Sequence, residues 1–171
     1  FADGRRERYD ALVIATGSAA RRLPGQPDLA GVHLLRTLDD ALALRAALER
    51  SPRVLVVGAG FIGAEVAASC RSRGLDVIAI EPLAVPLLRG LGRRMGALCA
   101  ELQRENGVDL RCGVGVAAIE GDGRVERVAL SDGTRVAADV VVVGIGAVPE
   151  TRWLEGSGLR LDDGVVCDEH C

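Results

Sequence analysis

The chain has 171 residues, 49% hydrophobic and 26% charged, with a net charge of −3, an ordinary balance for one folded domain. Aromatics are only 2% and every basic residue is arginine, which leaves no stacking platform for single-stranded nucleic acid and no Schiff-base lysine. No apolar run approaches the ~18 residues of a membrane span, and no basic segment followed by an apolar one marks a signal peptide. The expectation is a cytoplasmic protein without nucleic-acid or membrane partners. The first residue is Phe1 rather than Met, so the chain is expected to be a piece of a longer one.

Asp3-Gly4 predicts a turn, and the apolar run 11–15, ending in Thr16-Gly17, predicts a strand. Pro24, Gly25, Pro27 and Gly31 then predict a loop. Thr37-Leu38-Asp39-Asp40 reads as a helix start: a threonine N-cap, then two acids where the helix dipole favours them. That helix is expected to reach about residue 50 and to bury Leu38, Ala41, Leu42, Leu44, Ala47 and Leu48.

The next stretch organises the whole chain. Val54 to Val57 form a β-branched apolar run that reads as a buried parallel strand and leads straight into Gly58-Ala59-Gly60-Phe61-Ile62-Gly63. A helix is expected to follow and to stop at Gly74, before a second buried strand that ends in Glu81. This order suits a dinucleotide. Gly58 permits a tight turn, Gly60 lets a pyrophosphate approach the backbone, and Gly63 lets the helix pack close. The free N–H groups of Phe61, Ile62 and Gly63 sit at a helix N-terminus, where an anion is favoured. Glu81, at the tip of the second strand, can accept from an adenosine ribose hydroxyl. The carboxylate would repel an NADP 2′-phosphate by about 4 kcal/mol per charge pair at ~4 Å and an effective dielectric of ~20. Pro82, Leu83 and Ala84 offer no compensating arginine. The expected coenzyme is therefore NADH, with Arg89 a further candidate on the adenosine side.

Beyond two prolines, a helix is predicted at roughly 92–105, burying Met95, Leu98, Cys99 and Leu102, followed by a short strand at 108–110. Strands around Val116, Val128 and the run after Asp132-Gly133, joined by Asp-Gly turns, predict an antiparallel meander. A buried run at 140–143 leads into Gly144-Ile145-Gly146, and then come a short helix near 152–155 and a last strand at 164–167. The fold class expected is α/β: a doubly wound, Rossmann-like parallel sheet with an antiparallel β-meander crossover. The five cysteines, odd in number and irregularly spaced, suggest free thiols. Cys167, His170 and Cys171 are too few for a closed tetrahedral site, so no metal is expected.

Residues 3–17 align without gaps on residues 132–146, and Asp3/Asp132, Gly4/Gly133, Arg6/Arg135, Asp10/Asp139, Val13/Val142 and Gly17/Gly146 are identical. The second copy closes the unit that opens at Arg53. The first copy is therefore expected to close an earlier unit of the same kind that begins outside this chain.

The segments 9–18 and 23–25, the 54–63 fingerprint with Glu65, and the segment 139–146 with Pro149 resemble the FAD-dependent pyridine nucleotide oxidoreductases, in particular the ferredoxin-reductase subgroup. The resemblance covers essentially the whole chain and implies an NAD(H)-binding domain at 21–150. It also implies an edge of a truncated FAD-binding domain at 1–20 and a return to that domain at 151–171. By the resemblance, Gly58, Gly60 and Gly63 hold NAD(H). Phe61 stands where an aromatic gates the nicotinamide pocket, although a core position is equally open to it. Glu65 matches an acid near nicotinamide and flavin, Gly144-Ile145-Gly146 a loop beside the nicotinamide, and Thr16-Gly17 a segment near FAD. The implied activity of the longer protein is hydride transfer from NADH to FAD and electron transfer to a ferredoxin-type iron–sulfur protein. Its implied partners are the FAD and interface domains of the same polypeptide and that electron acceptor. No catalytic side chain is expected here, because the cofactors carry the chemistry. Alternatives are a stand-alone NAD-binding sensor and the reductase part of an NADH-dependent nitrite reductase.

Overall fold

A computed structural model describes residues 3–50 and 52–170. The chain divides into two units, Phe1–Ala19 with Val148–Cys171, and Ala20–Ala147. Its elements in order are β1 (Ser18–Ala20), β2 (Val32–Leu34), α1 (Leu38–Leu48), β3 (Val54–Val57), α2 (Phe61–Ser72), β4 (Val77–Glu81) and α3 (Leu88–Glu105). Then come β5 (Asp109–Cys112), β6 (Val116–Glu120), β7 (Arg127–Leu130), β8 (Arg135–Ala137), β9 (Val140–Val143), β10 (Ala147–Pro149) and a 3₁₀ turn, Arg152–Leu154.

In the larger unit, five parallel strands form one sheet in the order β2-β9-β3-β4-β5. β3 and β9 are buried along their whole length, as expected for central strands covered on both faces. One core joins the sheet to the helices through Val56, Val66, Ala67, Cys70 and Val142. The other joins it to the meander β6-β7-β8 through Leu55, Ile80, Val128 and Val141. Helices on one face and a meander on the other realise the predicted α/β class.

α1 begins as expected. The Thr37 side chain accepts from the Asp40 N–H while the Asp40 carboxylate accepts from the Thr37 N–H, a complete capping box. Only Leu44 and Leu48 of its predicted stripe are fully buried, and Leu38 and Leu42 are exposed. α2 buries Gly63, Val66, Ala67 and Cys70, a 3–4 spacing on one face, and ends before Gly74, whose φ is +76°.

Three expectations are corrected, and one strand was not expected. The run 11–15 forms no strand, and Leu12 and Val13 stand exposed. A strand needs a hydrogen-bonding neighbour, and none of the described residues supplies one. The segment 164–167 makes only an isolated bridge between Leu161 and Val165. β2 was not anticipated, because three residues are too short to show a period; it is fixed by pairing with β9. The third correction concerns α3. It starts earlier, breaks at Gly92 (φ 75°, ψ 174°) and buries Gly96 and Ala100, while Met95, Leu98 and Leu102 face outward. A Cβ on Gly96 would run into the Pro86 carbonyl and the Val85 side chain. The helix therefore lies so close to the chain beneath it that only small residues fit inward. No described helix is long and apolar enough to cross a membrane.

In the smaller unit, Thr16 Oγ1 donates to the Glu150 carbonyl at 2.9 Å, the Glu150 N–H donates to the Gly17 carbonyl, and Trp153 Nε1 donates to the Glu150 carbonyl. Cys167 and His170 are exposed, and Cys171 lies outside the described residues.

Candidate functional site

The carboxyl ends of β3, β4 and β9 surround a cavity of about 440 Å³. It lies where the chain leaves β3 toward β4 on one side while β9 flanks it on the other, the switch point at which parallel sheets bind ligands. The floor is made by Gly58, Gly60, Phe61 and Ile62. Gly144, Ile145 and Gly146 form one side, and Glu81, Pro82 and Leu83 with Leu87, Leu88, Arg89 and Gly90 form the other.

The three glycines of the fingerprint have different physical reasons. Gly58 has φ +90°, and a Cβ there would lie 2.6 Å from the Gly144 carbonyl oxygen. A Cβ on Gly63 would collide with the Gly58 carbonyl, so Gly63 brings α2 against the turn. Gly60 has an ordinary φ of −73° and nothing within 4 Å of a Cβ. The protein itself leaves room at Gly60 that it does not use. Gly60 caps α2 without a side-chain hydrogen bond. No acceptor among the described residues takes the N–H groups of Phe61, Ile62 and Gly63, whereas the next N–H, of Ala64, reaches the Gly60 carbonyl. Donors at the positive end of a helix are of the kind that can hold an anion.

Glu81 is 7% exposed. Its Oε2 accepts from the Ala59 N–H at 2.8 Å and its Oε1 from the Leu83 N–H at 3.0 Å. The carboxylate thus ties the glycine turn to the segment after β4. Each oxygen keeps lone-pair capacity for one further donor. Arg89, exposed on the same wall, makes no hydrogen bond or ion pair among the described residues. Phe61 is 59% exposed, so it is a cavity residue and not a core one. Its ring lies against the first turn of α3, where a Cβ on Gly90 would come within 2.9 Å of Cε2.

The structure therefore gathers Gly58, Gly60, Phe61, Ile62, Glu81, Arg89, Gly144, Ile145 and Gly146 around one space. Gly63 stands just behind the floor. Glu65 is exposed on the flank of α2 and lines shallower depressions instead. Thr16 and Gly17 belong to the smaller unit. The wall of Leu83, Leu87 and Leu88 went unnoticed in the sequence. Leu87 adopts φ +55° and donates its N–H to the Ala59 carbonyl, a left-handed leucine that no sequence pattern announces. The lining holds two charged side chains, Glu81 and Arg89, and no nucleophile paired with a base. Such a site can hold and orient an anionic, hydroxyl-bearing ligand against an apolar wall.

Comparisons with known proteins agree with this fold. The chain is 46% identical over 170 residues to the ferredoxin reductase component of chlorobenzene dioxygenase from Cupriavidus sp., covering 98% of this chain and 41% of the relative. It superposes with a TM-score of 0.90 at 38% identity on putidaredoxin reductase in its covalent complex with putidaredoxin, covering 98% of this chain and 42% of the other. The chain thus spans about two fifths of the length of the curated relatives it matches. A water-forming NADH oxidase of Lactobacillus brevis, solved with NADH, superposes with a TM-score of 0.81 at 27% identity over 91% of this chain and 34% of the oxidase. An engineered form of that oxidase, solved with NADPH, carries five substitutions, among them a glycine, an aspartate eighteen positions later, and two introduced arginines. Residues 2–171 match the family model of the pyridine nucleotide-disulphide oxidoreductases, and the chain belongs to that family.

Proposed function

We propose that this chain is the NADH-binding part of a longer flavoprotein reductase that passes electrons to a ferredoxin-type iron–sulfur protein. One observation carries the reading: the unused N–H groups at the start of α2 open beside the vacant space at Gly60, in the same cavity as Glu81. In that role the N–H groups of Phe61, Ile62 and Gly63 hold the diphosphate and Glu81 accepts from the adenosine ribose. Arg89 and the leucine wall border the adenosine. Phe61, exposed in the same lining, is the candidate to cover the nicotinamide, which lies along Gly144-Ile145-Gly146. Glu65, Thr16 and Gly17 lie outside the cavity lining, and their part is toward FAD in the longer protein.

Bound NADH supplies the hydride, and FAD in the longer protein receives it. This chain binds the coenzyme, orients it and selects it. Selection rests on Glu81, a carboxylate beside a 2′-phosphate being repulsive. Gly63 and Glu81 are eighteen residues apart, the spacing of the glycine and aspartate replaced in the NADPH-bound oxidase. The names of the relatives support the electron acceptor: ferredoxin reductase components of dioxygenases, and a reductase joined to putidaredoxin. The exposed apolar run 11–15 supports a partner sheet in the rest of the polypeptide and speaks against a stand-alone sensor.

The test is anaerobic spectral titration of the longer natural polypeptide. A bound flavin should bleach with NADH at concentrations well below those at which NADPH acts. Absence of flavin, or bleaching at equal or lower NADPH, contradicts the proposal.

A further inference from the structure

We propose that the outward face of α3 is a self-association surface, and that its occupant is a second copy of this chain packed antiparallel across it. The face is an uninterrupted piece of helix, residues 93–105, after the break at Gly92. Met95, Leu98 and Leu102 are 48%, 52% and 59% exposed. They follow one another at spacings of three and four, the spacing of a helix-packing seam, and fall within a narrow arc. The inward face is already occupied by Gly96 and Ala100 against the chain beneath, so rotating the helix cannot bury the stripe. Beside it, Ala64 and Ala68 of α2 leave a groove bordered by Cys99 and Leu102.

The charges point to the occupant. Arg93 and Arg94 stand at the start of this piece of helix, and Glu101 and Glu105 toward its end. Arg104 in the last turn is the base that the helix dipole favours there, whereas Arg94 and Glu101 flank the apolar stripe. None of the four makes an ion pair among the described residues. An antiparallel second copy answers the arrangement. With the two helices crossing near Leu98, Met95 meets the second copy's Leu102. Arg94 then meets the second copy's Glu101, and the twofold axis repeats both contacts. Three apolar side chains per copy make a small interface, so the dimer is weak.

The experiment is sedimentation equilibrium of the longer natural polypeptide, in which residues 11–15 have their own neighbours, across a concentration range reaching about 1 mM. A reversible monomer–dimer equilibrium is expected, and Leu98→Glu should abolish it. Arg94→Glu and Glu101→Arg should each weaken it about five-fold or more by setting like charges opposite one another. An equimolar mixture of these two variants should recover association, because both cross-pairs are then of opposite sign. Circular dichroism and NADH titration should match the parent chain for all variants, so the result is independent of the coenzyme proposal. A chain that stays monomeric throughout, or a mixture that associates no better than its components, overturns the inference.

Discussion

Gly60 and Gly63 separate binding from folding. Gly60 has free space around it, so Gly60→Ala should leave the melting temperature nearly unchanged while reducing NADH affinity about ten-fold or more, because the added methyl stands where the diphosphate must approach. Gly63→Ala pushes against the Gly58 carbonyl and should lower stability by about 1–3 kcal/mol as well as weaken binding. Thermal melts paired with fluorescence titration distinguish the two. Glu81→Gln removes the charge and turns an amide donor toward one of two backbone donors, at Ala59 or Leu83. It should weaken NADH binding about ten-fold and narrow the gap to NADPH, which parallel titrations with both nucleotides measure. That the glycines and Glu81 come together at one cavity was legible in the sequence, because strand, glycine turn, helix and second strand fix their spacing. The two bonds by which Glu81 fastens the turn were not, since they depend on where Leu83 passes in space.

Among the elements, strand and helix cores were readable where one residue type dominates. Four β-branched or leucine residues in a row at 54–57 and four valines at 140–143 can only be central strands. The face of α3 was misread because close packing made its small residues the inward ones, a choice that hydrophobic periodicity cannot see. At the start of α1, Thr37→Ala removes the cap to Asp40 and should cost about 1 kcal/mol in chemical denaturation. At the bottom of the sheet, Asp139 binds the Arg53 guanidinium at 2.7 and 2.9 Å and its backbone N–H at 2.9 Å, clamping the starts of β9 and β3. These bonds hold its carboxyl at a pKa of about 2, below the unfolded value of about 3.9. The stabilisation is therefore complete above about pH 4 and lost as pH falls toward 2. Asp139→Asn should flatten the melting temperature against pH in that window, whereas an unchanged acid limb would mean that the clamp contributes nothing.

For the whole molecule, the parallel sheet, the meander and the cavity at the strand tips were foreseeable from the order of strand, glycines, helix and acid. The state of residues 11–15 was not, because a strand is made by its neighbour as much as by its own residues, and none is present among those described. The chain spans 41% of its chlorobenzene dioxygenase relative. By itself it should bind NADH without consuming it, which steady absorbance of the nicotinamide over hours would establish. The most direct test of the whole account is a crystal of this chain soaked with NADH. The account predicts the diphosphate on the N–H groups of Phe61, Ile62 and Gly63, with the adenosine ribose hydroxyls on Glu81. A nucleotide bound elsewhere, or no nucleotide at millimolar concentration, would contradict it.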